Sequence, residues 1–172
     1  MTAINDCILS NMEPLTLELG KALFICQSLE ESLHLLHAFL SHDESGGKHG
    51  AFRASWDFHS NKTLGHMINT LRKRIPIPDD LSDFLESGIE LRNQIVHGFM
   101  TRNMLRIVDP KGRLEVECEL ATMKHEVKKR DVIINMLLDA LFNKRGFTNE
   151  DLKQKAGEQW AYLNTPENGV KQ

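Results

Sequence analysis

The sequence predicts an all-α protein, a bundle of four to five helices. Leu15, Leu19, Ala22, Cys26, Leu29, Leu33, Leu36 and Leu40 recur in alternating steps of four and three, an unbroken heptad stripe. Leu120, Met123, Val127, Ile134, Leu137 and Leu141 repeat that order near the other end. Between them the apolar residues, 41% of the chain, are dominated by leucine, with few β-branched runs, which favours helix over sheet.

Residues 1–13 read as a loose arm. Pro14 suits a first helical turn, where its missing N–H costs nothing. The stripe from Leu15 to Leu40 then needs a helix about 40 Å long, widened by Leu23, Phe24, Leu35 and Phe39. Glu18, Lys21, Gln27, Glu30 and Glu31 fall on much of its other side. Residues 41–51, with Gly46-Gly47 and Gly50, break the helix as a flexible loop. No Gly-Lys-Ser/Thr follows at the spacing of a phosphate-binding loop. A short segment, 52–60, carries Trp56 and Phe58. Ser60 or Asn61 then caps a second helix from about Lys62 to Arg74, with Leu64, Met67, Ile68 and Leu71 inward.

Ile75-Pro76-Ile77-Pro78 stops that helix. Asp79-Asp80 opens a third, with acids at its positive end. Leu81, Leu85, Gly88, Ile95 and Phe99 line its inner stripe. Residues 100–113 admit two readings: continued helix, which the composition favours, or a small hairpin at 104–116 turning at Asp109-Pro110-Lys111-Gly112. A fourth helix runs from roughly Glu117 to Asn143 and ends at Gly146. Thr148 with Asp151 resembles a capping box for a last short helix, about 148–163, whose Trp160 and Tyr162 could dock on the bundle. The tail at 166–172 reads as unstructured. The chain is thus expected to be one domain over 1–172, with its core at 14–145.

Charged residues make up 26% and the net charge is −3, so no global field draws the chain to nucleic acid. Any such surface must be local. The basic clusters Arg72-Lys73-Arg74, Arg102 with Arg106, Lys111 with Arg113, and Lys128-Lys129-Arg130 read first as solvated helix faces. Three cysteines form no CxxC and read as thiols of a reducing compartment, with Cys26 and Cys118 at core spacing. No signal peptide and no apolar run of membrane-spanning length is visible, so a cytoplasmic protein is expected.

The chemistry concentrates in Glu90-Leu91-Arg92-Asn93-Gln94-Ile95-Val96-His97-Gly98-Phe99. Arg92 is a permanent cation on a stripe that asks for an apolar residue. An unpaired buried guanidinium is very costly, so Arg92 needs a carboxylate, a subunit seam or a wet cleft. Glu90 is one carboxylate in reach. On an ideal helix Asn93 and His97 share a face, about 40° apart, whereas Arg92 and His97 stand about 140° apart. They could still converge on a cleft. Phosphate handling is the chemistry these residue types suggest. The structural alternative is a polar network that merely closes a helical seam.

Arg92-Asn93-Gln94-Ile95-Val96-His97 resembles the Arg-x4-His motif of HEPN domains (higher eukaryotes and prokaryotes nucleotide-binding), in which a polar residue follows the arginine, as Asn93 does here. Leu29-Glu30 on a long first helix, Thr63-Leu64-Gly65, the motif helix and a long last helix also follow the order of that family, over roughly 14–145. The resemblance implies a bundle that is usually a homodimer, with two motifs facing across the seam. It implies a metal-independent endoribonuclease, often a toxin or phage-defence effector, acting on RNA without a cofactor. The 2′-hydroxyl attacks the adjacent phosphate and leaves a 2′,3′-cyclic phosphate. His97 would be the general acid/base, Arg92 would hold the phosphate and stabilise its transition-state charge, and Asn93 would orient the histidine or the phosphate. Some relatives are inactive scaffolds or nucleotide binders, and others work with an antitoxin or nucleotidyltransferase partner.

Other candidates are weaker. His34 and His37 lie one turn apart with His42 beyond, but no further ligand completes a zinc site. His49, His59, His66 and His125 read as surface residues.

Overall fold

The computed structural model describes residues 2–146, and every element in that span is helical. Helix α1 is Thr2–Glu44, α2 His49–His59, α3 Leu64–Arg74, and α4 Asp79–Asn93. A π-helical turn, Gln94–Gly98, follows α4 without a break and leads into α5, Phe99–Asn103. A 3₁₀ turn, Arg106–Val108, precedes α6, Pro110–Lys144. Backbone packing divides the chain into two compact units, Met1–Asn135 and Met136–Gln172. The short helix expected at 148–163 and the tail at 166–172 lie outside the described residues.

The stripe on α1 is the core of the first unit. Leu15, Ala22, Cys26, Leu29, Leu33 and Leu36 are each no more than 1% exposed. Leu64, Met67, Ile68 and Leu71 of α3 are buried too, as are Leu85 of α4, Ile95 of the π turn and Phe99 of α5. From α6 come Val116, Leu120, Met123, Val127 and Ile134. Helix α1 packs against α2, α3 and the π turn, and α3 packs against α4. Burying a large aliphatic side chain stabilises by about 1.5–3 kcal/mol, so the paired stripes dominate this unit.

Several expectations need correction. Helix α1 does not start at Pro14 but runs through it from Thr2. The ring removes one backbone bond, and the helix formers on both sides carry the helix across the gap. The break after α1 shrinks to Ser45–Lys48, where Gly46 and Gly47 take positive φ of 70° and 85°. The segment expected at 52–60 belongs to α2 as far as His59, with Ser60 as its C-cap. Thr63, not Ser60 or Asn61, caps α3, its Oγ1 accepting from the His66 amide at 3.3 Å.

No hairpin forms at 104–116. Asp109 acts as the cap of α6, Oδ2 accepting from the Gly112 amide at 2.9 Å, and Pro110 takes the first helical position. A Cβ on Gly112 would stand 2.4 Å from the Arg106 carbonyl oxygen, so the 3₁₀ turn can press on α6 only at a glycine. At the far end α6 stops at Lys144, and Gly146 follows with φ 75°.

The basic clusters are not simply solvated. Arg130 is 4% exposed. It crosses Gly88, where a Cβ would meet its Cδ at 2.4 Å. Its guanidinium donates to the Phe84 carbonyl at 2.8 Å and to Ser87 Oγ at 2.7 Å, and lies over the Phe84 ring. Asp131 beside it is fully buried and accepts from Ser28, Ser32 and Lys128. This polar layer pins α6 to α1 and α4. Cys118, by contrast, is exposed, whereas Cys26 is buried as expected.

Candidate functional site

Arg92 is the penultimate residue of α4, and its side chain is about one-fifth exposed. Nε donates to Glu30 Oε1 at 2.5 Å, across from α1. Glu30 is therefore the carboxylate that a half-buried guanidinium demands. Glu90 is not; it accepts from Gln94 Nε2 at 3.1 Å. Nη1 of Arg92 donates to Asn93 Oδ1 at 3.2 Å and to His97 Nε2 at 2.9 Å.

That last contact corrects the ideal-helix expectation that Arg92 and His97, about 140° apart, cannot lie side by side, and it agrees with their converging on a cleft. The π turn is the reason. Its backbone bonds reach five residues back rather than four, so positions five apart come to share a face. Arg92 and His97 are five apart. The turn also keeps Ile95 and Phe99 in the core, at 3% and 0% exposure, so the widened turn is held on its inner side by packing. All three expected site residues, Arg92, Asn93 and His97, thus form one cluster.

His97 is exposed. Because Arg92 can only donate, Nε2 must accept, and the imidazole carries its proton on Nδ1 in this state. Arg92, Asn93 and His97 face a cavity of about 590 Å³ whose other wall is the loop and first turn at Ser60–Gly65. Asn93 and His97 also line a more open hollow of about 610 Å³ with Glu86, Gln94 and Arg102. Cys26 lies behind the arginine. Burial pushes its thiol up to about 11, against the pull of the Arg92 guanidinium, so it is no nucleophile at neutral pH.

The arrangement can bind an oxyanion and exchange a proton. Glu30 holds Nε and itself lines the cavity, so the Nη groups are the part of the guanidinium left for an anion. An incoming phosphate would compete with His97 for Nη1. Taking that N–H would leave the Nε2 lone pair free to accept a proton. Sequence reasoning named the three motif residues but missed Glu30 as the partner of Arg92, 62 positions away; it entered only as a polar residue of the first helix and, with Leu29, in the order of the family. It also missed the Ser60–Thr63 loop as a wall, because those residues read simply as a cap.

The remaining histidines do not gather into a metal site. Among the described residues no three His, Cys, Asp or Glu side chains are placed to hold an ion. His37 and His59 are buried and stacked at 4.2 Å, so His59 is not the surface residue expected. Among the described residues no helix is long and apolar enough to cross a membrane. No family model, curated protein or solved structure matches the chain at a significant level.

Proposed function

We propose that this chain is a metal-independent endoribonuclease of the HEPN type. The observation that carries the reading is the 2.9 Å contact between Arg92 and His97 at the mouth of a cavity. Arg92 holds the scissile phosphate and offsets the charge that builds on it. His97 exchanges the protons. The 2′-oxygen bonds to phosphorus as it loses its proton, and the P–O5′ bond breaks. The 5′-oxygen leaves as a hydroxyl after gaining a proton, and a 2′,3′-cyclic phosphate remains. Asn93, bonded to Arg92, orients the guanidinium. Two copies pair through the motif helix, in the cytoplasm, as a toxin or phage-defence effector with an antitoxin or nucleotidyltransferase partner.

A second reading is a non-catalytic interaction or nucleotide-binding module. It is favoured by the pairing of nearby cations with acids: Arg72 with Glu86, and Arg102 and Arg106 with Glu119. These pairs leave little free positive field for a long RNA. One experiment separates the readings: purified protein and His97→Ala are incubated in EDTA with a mixture of structured and single-stranded RNA. Cyclic-phosphate ends from the wild type alone support the nuclease. No cleavage by either protein favours the module.

A further inference from the structure

We propose that Lys62 is a second phosphate contact of this site, gripping the phosphate next to the scissile one. The inference rests on the ribonuclease reading and deepens it. The cavity is lined on one side by Arg92 and His97, with Glu30 beside them, and on the other by Lys62 with Asn61. Arg92 is partly neutralised by Glu30. Lys62 has no carboxylate partner among the described residues. Its Nζ instead lies over the Phe58 ring at 4.5 Å, a contact that places the ammonium without cancelling its charge.

The loop that carries Lys62 is braced. Ser60 Oγ and Asn61 Nδ2 both donate to the Asp57 carbonyl, at 3.0 and 3.4 Å. The Lys62 amide donates to the His59 carbonyl at 2.8 Å. Beneath the loop, a Cβ on Gly65 would touch Ile89 Cδ1 at 3.4 Å, so α3 sits close on α4 there. The amide of His66 is already taken by Thr63, and the lysine is the charged side chain of this wall. A cavity of about 590 Å³ with the Arg92–Glu30 pair on one side and Lys62 on the other, its ammonium resting over Phe58 at the rim on a side chain long enough to turn inward, suits a ligand with two separated anionic groups. A dinucleotide step of RNA is such a ligand. A single phosphate would leave one cation unused.

The prediction concerns binding, not bond breaking. The test uses the full chain and a mixed-sequence, 2′-deoxy-substituted RNA oligonucleotide that cannot be cleaved. Its affinity is measured by fluorescence anisotropy over a range of salt, for wild type, Lys62→Ala and Lys62→Arg. Lys62→Ala is expected to weaken binding about tenfold and to reduce the salt dependence by about 0.7 in the log–log slope, the value for one phosphate contact on a single strand. Lys62→Arg is expected to restore both. On cleavable RNA, Lys62→Ala should raise KM and leave kcat within about twofold. Unchanged affinity and slope in a folded Lys62→Ala protein, with wild type binding normally, would overturn the second contact alone. Failure of wild type to bind would instead overturn the RNA reading and the contact with it.

Discussion

The molecule contains the same trio of side chains twice. Glu30, Arg92 and His97 form one set. Glu44, Arg74 and His37 form the other, with Arg74 Nη1 3.2 Å from His37 Nδ1 and Nη2 2.9 Å from Glu44. Their surroundings differ. His37 is fully buried, Nε2 donates to the Met67 carbonyl at 2.9 Å, and both ring nitrogens are engaged. Arg74 also holds the His37 carbonyl and Ser41. That set ties α1 to α3 and has nothing left to offer a ligand. His97 is exposed, uses one nitrogen, and faces a cavity. Residue type therefore does not mark the site; the unengaged valence does.

The largest effect expected is on activity at the open set. Arg92→Ala and His97→Ala should each lower RNA cleavage by about 10²–10⁴-fold, with far-UV circular dichroism and the urea midpoint close to wild type. Arg74→Ala should do the reverse. It removes the donor to a buried ring nitrogen, costing about 1–3 kcal/mol of stability, while cleavage per folded molecule stays the same. Unfolding of Arg92→Ala with a robust Arg74→Ala would exchange the two roles.

Acid should also distinguish the two sets. Burial, and then the neighbouring His59, hold His37 down at about 4; burial and Arg74 lower His59 as well. In the unfolded chain a histidine titrates near 6.5. Above that value neither state binds the proton and the groups contribute no pH dependence. For His37, between about 6.5 and 4, the unfolded chain binds a proton that the folded one refuses, so stability falls as pH falls, by up to about 1.4 kcal/mol per unit, and His59 adds a slope of the same sign. Between pH 7 and 5, His37 alone should remove about 2 kcal/mol from the urea-derived stability. His37→Gln should flatten that slope. If it leaves the slope unchanged, the stacked pair is not what acid attacks.

Much of this was legible in the chain, and the remainder fails for identifiable reasons. Helix periodicity located the core because Leu29, Leu33, Leu36, Leu120 and Val127 obey it strictly. Arg92, Asn93 and His97 stood out as polar residues in apolar company. Their convergence on a cleft was expected, but their direct side-by-side contact was not legible, because a π turn has no composition of its own and periodicity assumes a uniform helix. Glu30 and Arg130 were missed for a different reason. Each answers to a partner distant in sequence, Arg92 for one and the Phe84 carbonyl for the other, and charge alone places both in solvent. The hairpin expectation at 104–116 weighed Pro110 and Gly112 as turn residues. With Asp109 before them the same residues begin a helix.

The smallest effect expected is at the two glutamates, and it sharpens the comparison furthest. Glu44 is 60% exposed and its bond to Arg74 is screened by water. Glu44→Gln should change stability by less than about 1 kcal/mol and leave cleavage unaltered, because Ser41 and the His37 carbonyl still hold the guanidinium. Glu30 has no such substitute. Within α1 it is the group that fixes Arg92 Nε, and so it decides which edge of the guanidinium faces the cavity. Glu30→Gln keeps an acceptor but loses the charge, and should lower kcat by several-fold, about tenfold at most. Glu30→Ala, which lets the arginine swing, should exceed it. Both variants should lower the urea-derived stability by about 1 kcal/mol, because the guanidinium they leave without its charged partner is still about one-fifth exposed to water. If instead removing the carboxylate raises kcat, Glu30 acts as a competitor of the phosphate for Arg92 rather than as its anchor, and the closed cluster is a resting state that substrate must open.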